Sequence, residues 1–180
     1  GGEGLVPTVK AMELPAYDPR GAASMALAYA TSDRGACHRR ARPVEREPFS
    51  GPWAPDEAAR AVISEQDRRS VLWSLVVDDF AGDVFDDLGA EWLAAVGLDY
   101  DADELRTAGK RIWTLTRLFN VREGFGREDD MLPPRLTDER IPDGPSEGAS
   151  IDRDEYEREL DRYYVARGWS RDGNTRLSRV

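Results

Sequence analysis

The chain has 180 residues, of which 40% are hydrophobic and 33% are charged. These values fit a globular protein of one domain or two small ones, since a chain of this length buries roughly 70% of the surface that its unfolded form exposes. The formal net charge is −10. Because such an acidic surface repels nucleic acid, the composition argues against a nucleic-acid partner.

The basic residues are almost all arginine, since Lys10 and Lys110 are the only lysines. An acidic surface that is poor in lysine is what we expect of a halophilic protein, where hydrated carboxylates maintain solubility and salt screens their repulsion. An ordinary acidic protein from a GC-rich genome is the alternative.

Cys37 is the only cysteine. A single thiol excludes an internal disulfide and cannot by itself provide the several thiolates of a structural metal site. The sequence also lacks the run of about 18 apolar residues that a membrane helix needs. We therefore expect a cytoplasmic protein with no membrane partner, in which Cys37 is a buried apolar residue.

The first predicted helix begins at the sequence DPRG of residues 18–21. Asp18 is a candidate N-cap and Pro19 a favoured first helical residue, and a run of small side chains continues to Ala30. A Ser-Asp-Arg-Gly cluster at residues 32–35 predicts the end of the helix. Cys37 and His38 are then expected just beyond that end.

Apolar residues at helical spacing predict further helices at residues 56–80 and 83–96 and at a segment that ends before Gly124. Asp101 or Asp103 can cap this last helix. Its predicted buried face consists of Leu105, Ile112, Leu115, Leu118 and Phe119. The aromatic residues Trp113, Phe119 and Phe125 are interpreted as packing residues, because aromatic side chains at helical spacing usually belong to a core.

A last helix is predicted at residues 152–167, with Gly168 as its stop. Residues 122–150 are rich in Gly, Pro, Asp and Glu and predict a long loop, and no strand alternation is present. The predicted fold is all-α, an irregular array of about five helices. We divide it into an N-terminal segment, residues 1–55, and a helical domain, residues 56–180.

Two adjoining blocks resemble the tungsten-dependent aldehyde:ferredoxin oxidoreductase family. They are VKAMELPAYDPRG at residues 9–21 and LAYATSDRGACH at residues 27–38. Two later segments agree in order and spacing, WTLTRLFNVREGF at residues 113–125 and LDRYYVARGW at residues 160–169. The chain thus resembles the C-terminal helical part of such an enzyme.

The resemblance implies an enzyme that oxidises aldehydes to carboxylic acids at a tungsten (or molybdenum) bispterin centre, with electrons passing through a four-iron four-sulfur cluster to ferredoxin. The N-terminal pterin-binding and cluster-binding domains would be partners of this chain, which alone is expected to be inactive. His38 matches the family histidine beside the metal, where an imidazole can move protons near neutral pH. Arg40 matches a basic position near the pterin.

Two positions depart from the family pattern. The motif that provides a pterin-binding aspartate and the fourth cluster cysteine falls on residues 73–78, WSLVVD, so that Trp73 and Asp78 replace those two residues. Asp78 could ligate iron as an anionic but harder ligand, or it could be a solvated charge at a helix end. The alternative function is a divergent helical scaffold or interaction module without a cluster.

Overall fold

A computed structural model describes residues 5–45, 47–51, 53–78, 80–82 and 88–175. The described chain is mainly helical, which confirms the all-α prediction. Its helices are α1 (Ala23–Thr31), α2 (Glu47–Ser50), α3 (Pro55–Ser74), α4 (Ala90–Ala95), α5 (Ala102–Arg122), α6 (Pro134–Asp138) and α7 (Arg153–Arg167), and its two 3-10 helices are Pro43–Glu45 and Arg127–Asp130. Helix α3 packs against α5, α7 and α1, and α1 also packs against α7. No helix among the described residues is long and apolar enough to cross a membrane.

A short hairpin precedes the helices, although the sequence shows no strand alternation. Strands β1 (Thr8–Val9) and β2 (Met12–Glu13) pair antiparallel, with Val9 opposite Met12. Lys10 and Ala11 form the turn, with φ values of 49° and 60°. Two-residue strands are too short to show the alternation by which strands are recognised in a sequence.

Helix α1 begins later than predicted, at Ala23 rather than beside Pro19. The Asp18 carboxylate instead accepts a hydrogen bond from the Arg20 backbone N–H at 2.9 Å, which closes a local turn before the helix. The N-terminus of α1 is capped from a distance, because Glu47 accepts hydrogen bonds from the backbone N–H and hydroxyl of Ser24. The predicted end is confirmed, since the helix stops before Ser32.

Helix α3 ends at Ser74, six residues before the predicted end at Phe80. The Val77 N–H donates to the Leu72 carbonyl at 2.9 Å and the Val76 N–H donates to the Trp73 carbonyl at 3.0 Å. Together with the left-handed conformation of Val76 (φ 61°), these bonds form a Schellman-type stop. Such stops usually contain glycine, so the apolar periodicity gave no sign of this one.

Helix α4 is much shorter than the predicted segment, of which residues 83–87 lie outside the described residues. Its N-cap is Gly89 in a left-handed conformation (φ 86°). Leu88 is buried, and the partly buried Leu93 packs in the same small cluster, whereas Trp92 and Val96 are 49% and 67% exposed. The predicted apolar face is therefore only partly buried.

Helix α5 begins after Asp101, one of its two candidate caps, and Asp101 and Glu104 form a capping box. The predicted buried face was wrong at two positions, because Leu115 and Phe119 are 60% and 55% exposed. The buried stripe instead repeats every four residues, at Leu105, Gly109, Trp113 and Arg117. A Cβ atom at Gly109 would lie 2.2 Å from the carbonyl oxygen of Asp67 on α3. This close approach of two backbones, rather than the richest apolar row, determines which face is buried.

The predicted long loop, residues 122–150, contains two short helices, the 3-10 helix Arg127–Asp130 and helix α6. Asp130 from this segment is fully buried. Its carboxylate forms ion pairs with Lys10 at 2.6 Å and Arg117 at 2.9 Å, and it accepts a hydrogen bond from the Tyr164 hydroxyl. Burial lowers the pKa of Lys10, and the neighbouring Asp130 charge partly offsets this effect.

Helix α7 begins one residue later than predicted, with Asp152 as its N-cap, and ends as predicted before Gly168, which has a left-handed conformation (φ 74°). Two of its buried side chains, Tyr163 and Arg167, join a polar network with Gln66 of α3. The Tyr163 hydroxyl donates to Gln66 Oε1 at 2.6 Å, and Arg167 Nη2 donates to the same oxygen at 2.8 Å. Buried polar groups that are satisfied in this way fix how α3 and α7 meet.

Candidate functional site

The loop that follows α1 concentrates positive charge in an acidic protein. Four arginines, Arg34, Arg39, Arg40 and Arg42, lie within nine residues. The loop rests on the N-terminal hairpin at Gly35 (φ 106°), where a Cβ atom would lie 2.3 Å from the Val9 carbonyl oxygen. Glycine is thus required here by both the backbone conformation and the space.

Three of these arginines face the end of α3 across an open cleft of about 420 Å³. We call it the arginine cleft, and its lining residues are Arg34, Arg39, Arg40, Trp73, Val76, Val77 and Asp78. The structure thereby brings together Arg40, Trp73 and Asp78, which the sequence singled out separately. Guanidinium groups around an indole form a surface that suits a flat, anionic ligand.

Arg40 and Trp73 both line the arginine cleft and contact each other. The Arg40 guanidinium carbon lies 3.8 Å from the centre of the Trp73 ring, a cation–π contact. Arg40 also forms an ion pair, with Nε 2.7 Å from Asp33 Oδ1. Burial lowers the pKa of the Arg40 guanidinium, and the Asp33 charge opposes that shift. Arg40 is therefore held in one position by an aromatic face and a carboxylate.

Asp78 lies at the rim of the arginine cleft, and its side chain is 64% exposed. It forms an ion pair with Arg39, whose Nη2 lies 3.7 Å from Oδ2. Arg39 also lies over the Phe80 ring at 5.9 Å. An exposed pair at this distance contributes little to stability. Among the described residues, no three His, Cys, Asp or Glu side chains converge to form a group that could hold a metal ion.

Beside the cleft, the segment that follows α3 has a residue with an unusual backbone conformation and two exposed apolar side chains. Val76 adopts the left-handed conformation that β-branched residues rarely adopt, and its side chain is 91% exposed. Phe80 is 81% exposed. Apolar side chains exposed to this degree beside a polar cleft are typical of a surface that another polypeptide covers.

His38 lies on the same loop, between the buried Cys37 and the cleft residues Arg39 and Arg40, and is partly buried. Its imidazole packs against the ring of Tyr17, with ring centroids 5.6 Å apart and an interplanar angle of 57°. Tyr17 is itself held, because its carbonyl accepts a hydrogen bond from the Tyr29 hydroxyl of α1 at 3.0 Å. The imidazole is therefore neither in a closed apolar core nor among the residues that line the arginine cleft.

Cys37 is buried, as predicted, but its surroundings are polar. Arg34 Nε and Nη2 donate to the Cys37 sulfur at 3.2 Å and 2.9 Å. The interpretation of Cys37 as an apolar filler therefore misses this contact, which orients the Arg34 guanidinium beside the cleft.

Sequence reasoning did not identify Arg34 and Arg39 as site residues. The available signal was the density of arginine after α1 in a chain whose net charge is −10. Nothing in the sequence indicated that Val76 belongs to this site. Its exposure results from the end of helix α3, and the apolar periodicity predicts that the helix continues past that point. Of the aromatic residues interpreted as packing residues, Trp113 is buried, while Phe119 and Phe125 are 55% and 38% exposed.

Comparison with known proteins shows which family the chain resembles. Residues 1–179 match the family model described as aldehyde ferredoxin oxidoreductase, domains 2 and 3. The chain is 38% identical over 174 residues to the tungsten-containing aldehyde ferredoxin oxidoreductase of Pyrococcus horikoshii. It is 37% and 36% identical over 175 residues to the proteins of the same description from Pyrococcus furiosus and Thermococcus kodakarensis. Each alignment covers 92% of this chain but 28% of the relative.

Proposed function

The chain belongs to the aldehyde ferredoxin oxidoreductase family, and we propose that it forms the C-terminal wall of the active site in an enzyme that oxidises aldehydes to carboxylic acids. The remaining parts of the enzyme would complete the site, because the chain spans 28% of the length of these relatives. Alone, the chain is expected to be inactive. Ferredoxin is the proposed electron acceptor and a small aldehyde the proposed substrate.

The observation that carries this proposal is the arginine cleft. Its three guanidinium groups and the Trp73 indole fit a phosphate-bearing aromatic cofactor such as a pterin, because guanidinium groups bind phosphate and stack on flat rings. In the proposed enzyme, Arg39 and Arg40 hold the phosphate or a pterin edge. When bound, a tungsten or molybdenum bispterin centre would accept the two electrons released as the aldehyde gains an oxygen atom from water.

His38 is the proposed proton carrier. A partly buried imidazole can accept a proton at one ring nitrogen near neutral pH and release it to solvent. The ring of Tyr17 limits the orientations that the imidazole can adopt. In this role His38 takes up the proton that water loses when its oxygen is transferred to the aldehyde.

The described residues do not by themselves fit an iron–sulfur cluster. Such a cluster is held by several thiolates, whereas Cys37 is buried against Arg34 and Asp78 offers one exposed carboxylate beside Arg39. The four-iron four-sulfur cluster that the family resemblance implies would need ligands from outside this chain, and Asp78 as its fourth ligand stays a prediction.

The Trp73 contact also supports a second candidate, a divergent helical scaffold or interaction module without a cluster. Arg40 is engaged by Trp73 and Asp33, so its guanidinium already has partners in the absence of a ligand. The exposed Val76 and Phe80 would then belong to a protein interface rather than to an active-site rim.

Metal analysis of the intact protein that contains this chain separates the two candidates. The protein is prepared with tungstate or molybdate, and its tungsten, molybdenum and iron contents are measured together with aldehyde oxidation. The oxidoreductase proposal expects tungsten or molybdenum to be bound, and an Arg40→Gln variant should retain less of it. A matched Arg153→Gln variant, which removes an exposed arginine near Asp138, should retain as much as the parent protein. Absence of both metals would reject the enzyme and leave the scaffold.

A His38→Ala variant tests the proton role separately. We expect turnover to fall by about 10² to 10⁴, the usual contribution of a general acid or base, while the bound metal is unchanged. Unchanged turnover would show that His38 is structural.

A further inference from the structure

A second cavity lies away from the arginine cleft, where the N-terminal end of α1 meets the first turns of α3 and α7. Its volume is about 220 Å³. Much of its lining is apolar and includes Leu27, Ala58, Ile151 and Tyr156, with the indole of Trp53 beside them. A cavity of about 150 Å³ lined by apolar side chains is large enough for benzene, so this one can hold a ring with a short side chain.

The polar lining of this cavity is mainly acidic, and most of its groups are already engaged. Glu47 caps α1 through Ser24, and the Asp152 carboxylate caps α7. Glu155 accepts hydrogen bonds from Arg158 and Arg162. These carboxylates therefore need no ligand.

Among the described residues, the one cation in the lining is Arg20, and it is also engaged. Arg20 Nη2 pairs with Asp18 at 2.7 Å, and Arg20 Nη1 donates to the Glu139 carbonyl at 3.1 Å. Its guanidinium is therefore committed to the turn before α1 and does not neutralise the acids across the cavity.

Glu159 differs from the other acids. Its side chain is 15% exposed, and Oε2 pairs with Arg162 Nη1 at 2.9 Å. The second oxygen, Oε1, is buried and has no hydrogen-bond partner among the described residues. A buried carboxylate oxygen that lacks a donor is costly, so a ligand that supplies one would be stabilised here.

We propose that this cavity binds a small apolar ammonium compound, an aryl or alkyl group ending in a protonated amine, with the ammonium group hydrogen-bonded to Glu159 Oε1. The volume and the apolar lining of the cavity favour a small aryl ring or a short alkyl chain. The acidic lining favours a cation and disfavours a carboxylate. This site is separate from the arginine cleft, and the proposal does not depend on the oxidoreductase function.

Burial raises the pKa of the Glu159 carboxyl, and Arg162 opposes that shift. A bound ammonium group would favour the ionised carboxylate and lower this pKa. Binding is therefore expected to weaken as the solution becomes acidic enough to protonate Glu159.

Calorimetric titration of the intact protein tests the proposal with three probes of similar shape, phenethylammonium, phenethyl alcohol and phenylacetate. We expect phenethylammonium to bind most tightly and phenylacetate most weakly. Equal affinity for the three probes, or no binding of phenethylammonium, would overturn the proposal, and neither result requires a variant to fold.

Two charge-removing variants locate the binding site. Glu159→Gln should weaken phenethylammonium binding by about tenfold or more, since it removes a charged partner. Glu157→Gln, the same change on the same helix outside the cavity lining, should bind as the parent protein does. Ala58→Leu, which fills the cavity, should weaken both phenethylammonium and the alcohol. Unchanged phenethylammonium affinity in both Glu159→Gln and Ala58→Leu would place the ligand elsewhere and reject the site.

Discussion

Arginine side chains occupy two contrasting settings in this molecule. In the interior, Arg117 is 5% exposed and is engaged by the Asp130 carboxylate and the Gly173 carbonyl. At the arginine cleft, Arg39 has a side chain that is 43% exposed and pairs loosely with Asp78. The comparison separates two uses of one residue type: buried guanidinium groups that pair with a buried carboxylate stabilise the fold, and guanidinium groups around open space remain accessible to a ligand.

The largest effect is expected in the interior, from Asp130→Asn. This change removes the negative charge beside Lys10 and Arg117 while it preserves side-chain size. Lys10 can lose its proton, since burial already lowers its pKa, but Arg117 cannot. We expect the free energy of unfolding to fall by about 3–5 kcal/mol, as when one partner of a buried ion pair is lost, which chemical denaturation would measure.

Asp138→Asn provides the control for this prediction. Asp138 is 65% exposed at the side chain and lies 3.8 Å from Arg153, so its removal should leave the stability nearly unchanged. Equal losses for the two variants would contradict the distinction between interior and surface charges.

A smaller loss is expected from Gly109→Ala, where α5 crosses α3. The new methyl group would meet the Asp67 carbonyl oxygen, so the two helices must separate. Overpacking of this kind costs about 1–3 kcal/mol, and thermal unfolding would measure it. Gly124→Ala would not serve as a control, because Gly124 has a positive φ of 96° and an alanine in that conformation would be strained. Ala108→Gly is more suitable, because it changes an adjacent position on the same helix and lowers helix propensity there by about 1 kcal/mol. A Gly109→Ala variant as stable as the parent would show that the helices are not in close contact.

The smallest effect on stability is expected at the cleft, from Arg40→Gln. The variant loses one cation–π contact with Trp73 and one ion pair with Asp33, together about 1 kcal/mol. Among these variants, Arg40→Gln is nevertheless expected to reduce cofactor retention most. A small loss of stability is therefore expected together with a large loss of bound cofactor. A loss of stability as large as that of Asp130→Asn would place Arg40 with the interior arginines.

The sequence predicted the helices whose ends depend on nearby residues. Helices α5 and α7 begin where Asp101 and Asp152 indicate, because each carboxylate accepts hydrogen bonds from backbone N–H groups two or three residues later. Gly168 ends α7 in the left-handed conformation that glycine adopts readily. The DPRG and RGACH segments likewise indicated the family from the order of their residues.

The candidate site was predicted only in part. Arg40, Trp73 and Asp78 were each singled out by resemblance, yet nothing in the sequence brought them to one cleft or added Arg34 to it. Their meeting depends on where α3 ends, and that end is formed by Val76 in a conformation that valine rarely adopts. The roles of His38, Arg40 and Asp78 remain predictions for the experiments above.

What the sequence determined alone was thus the helical class, the family and the helix ends with local caps, since those interactions join residues a few positions apart. Tertiary structure decided the rest. Glu47 caps α1 from 23 residues away, and the contact of Gly109 with Asp67 selects the buried face of α5. Such contacts form only when distant segments pack together, and no local pattern encodes which segments will meet.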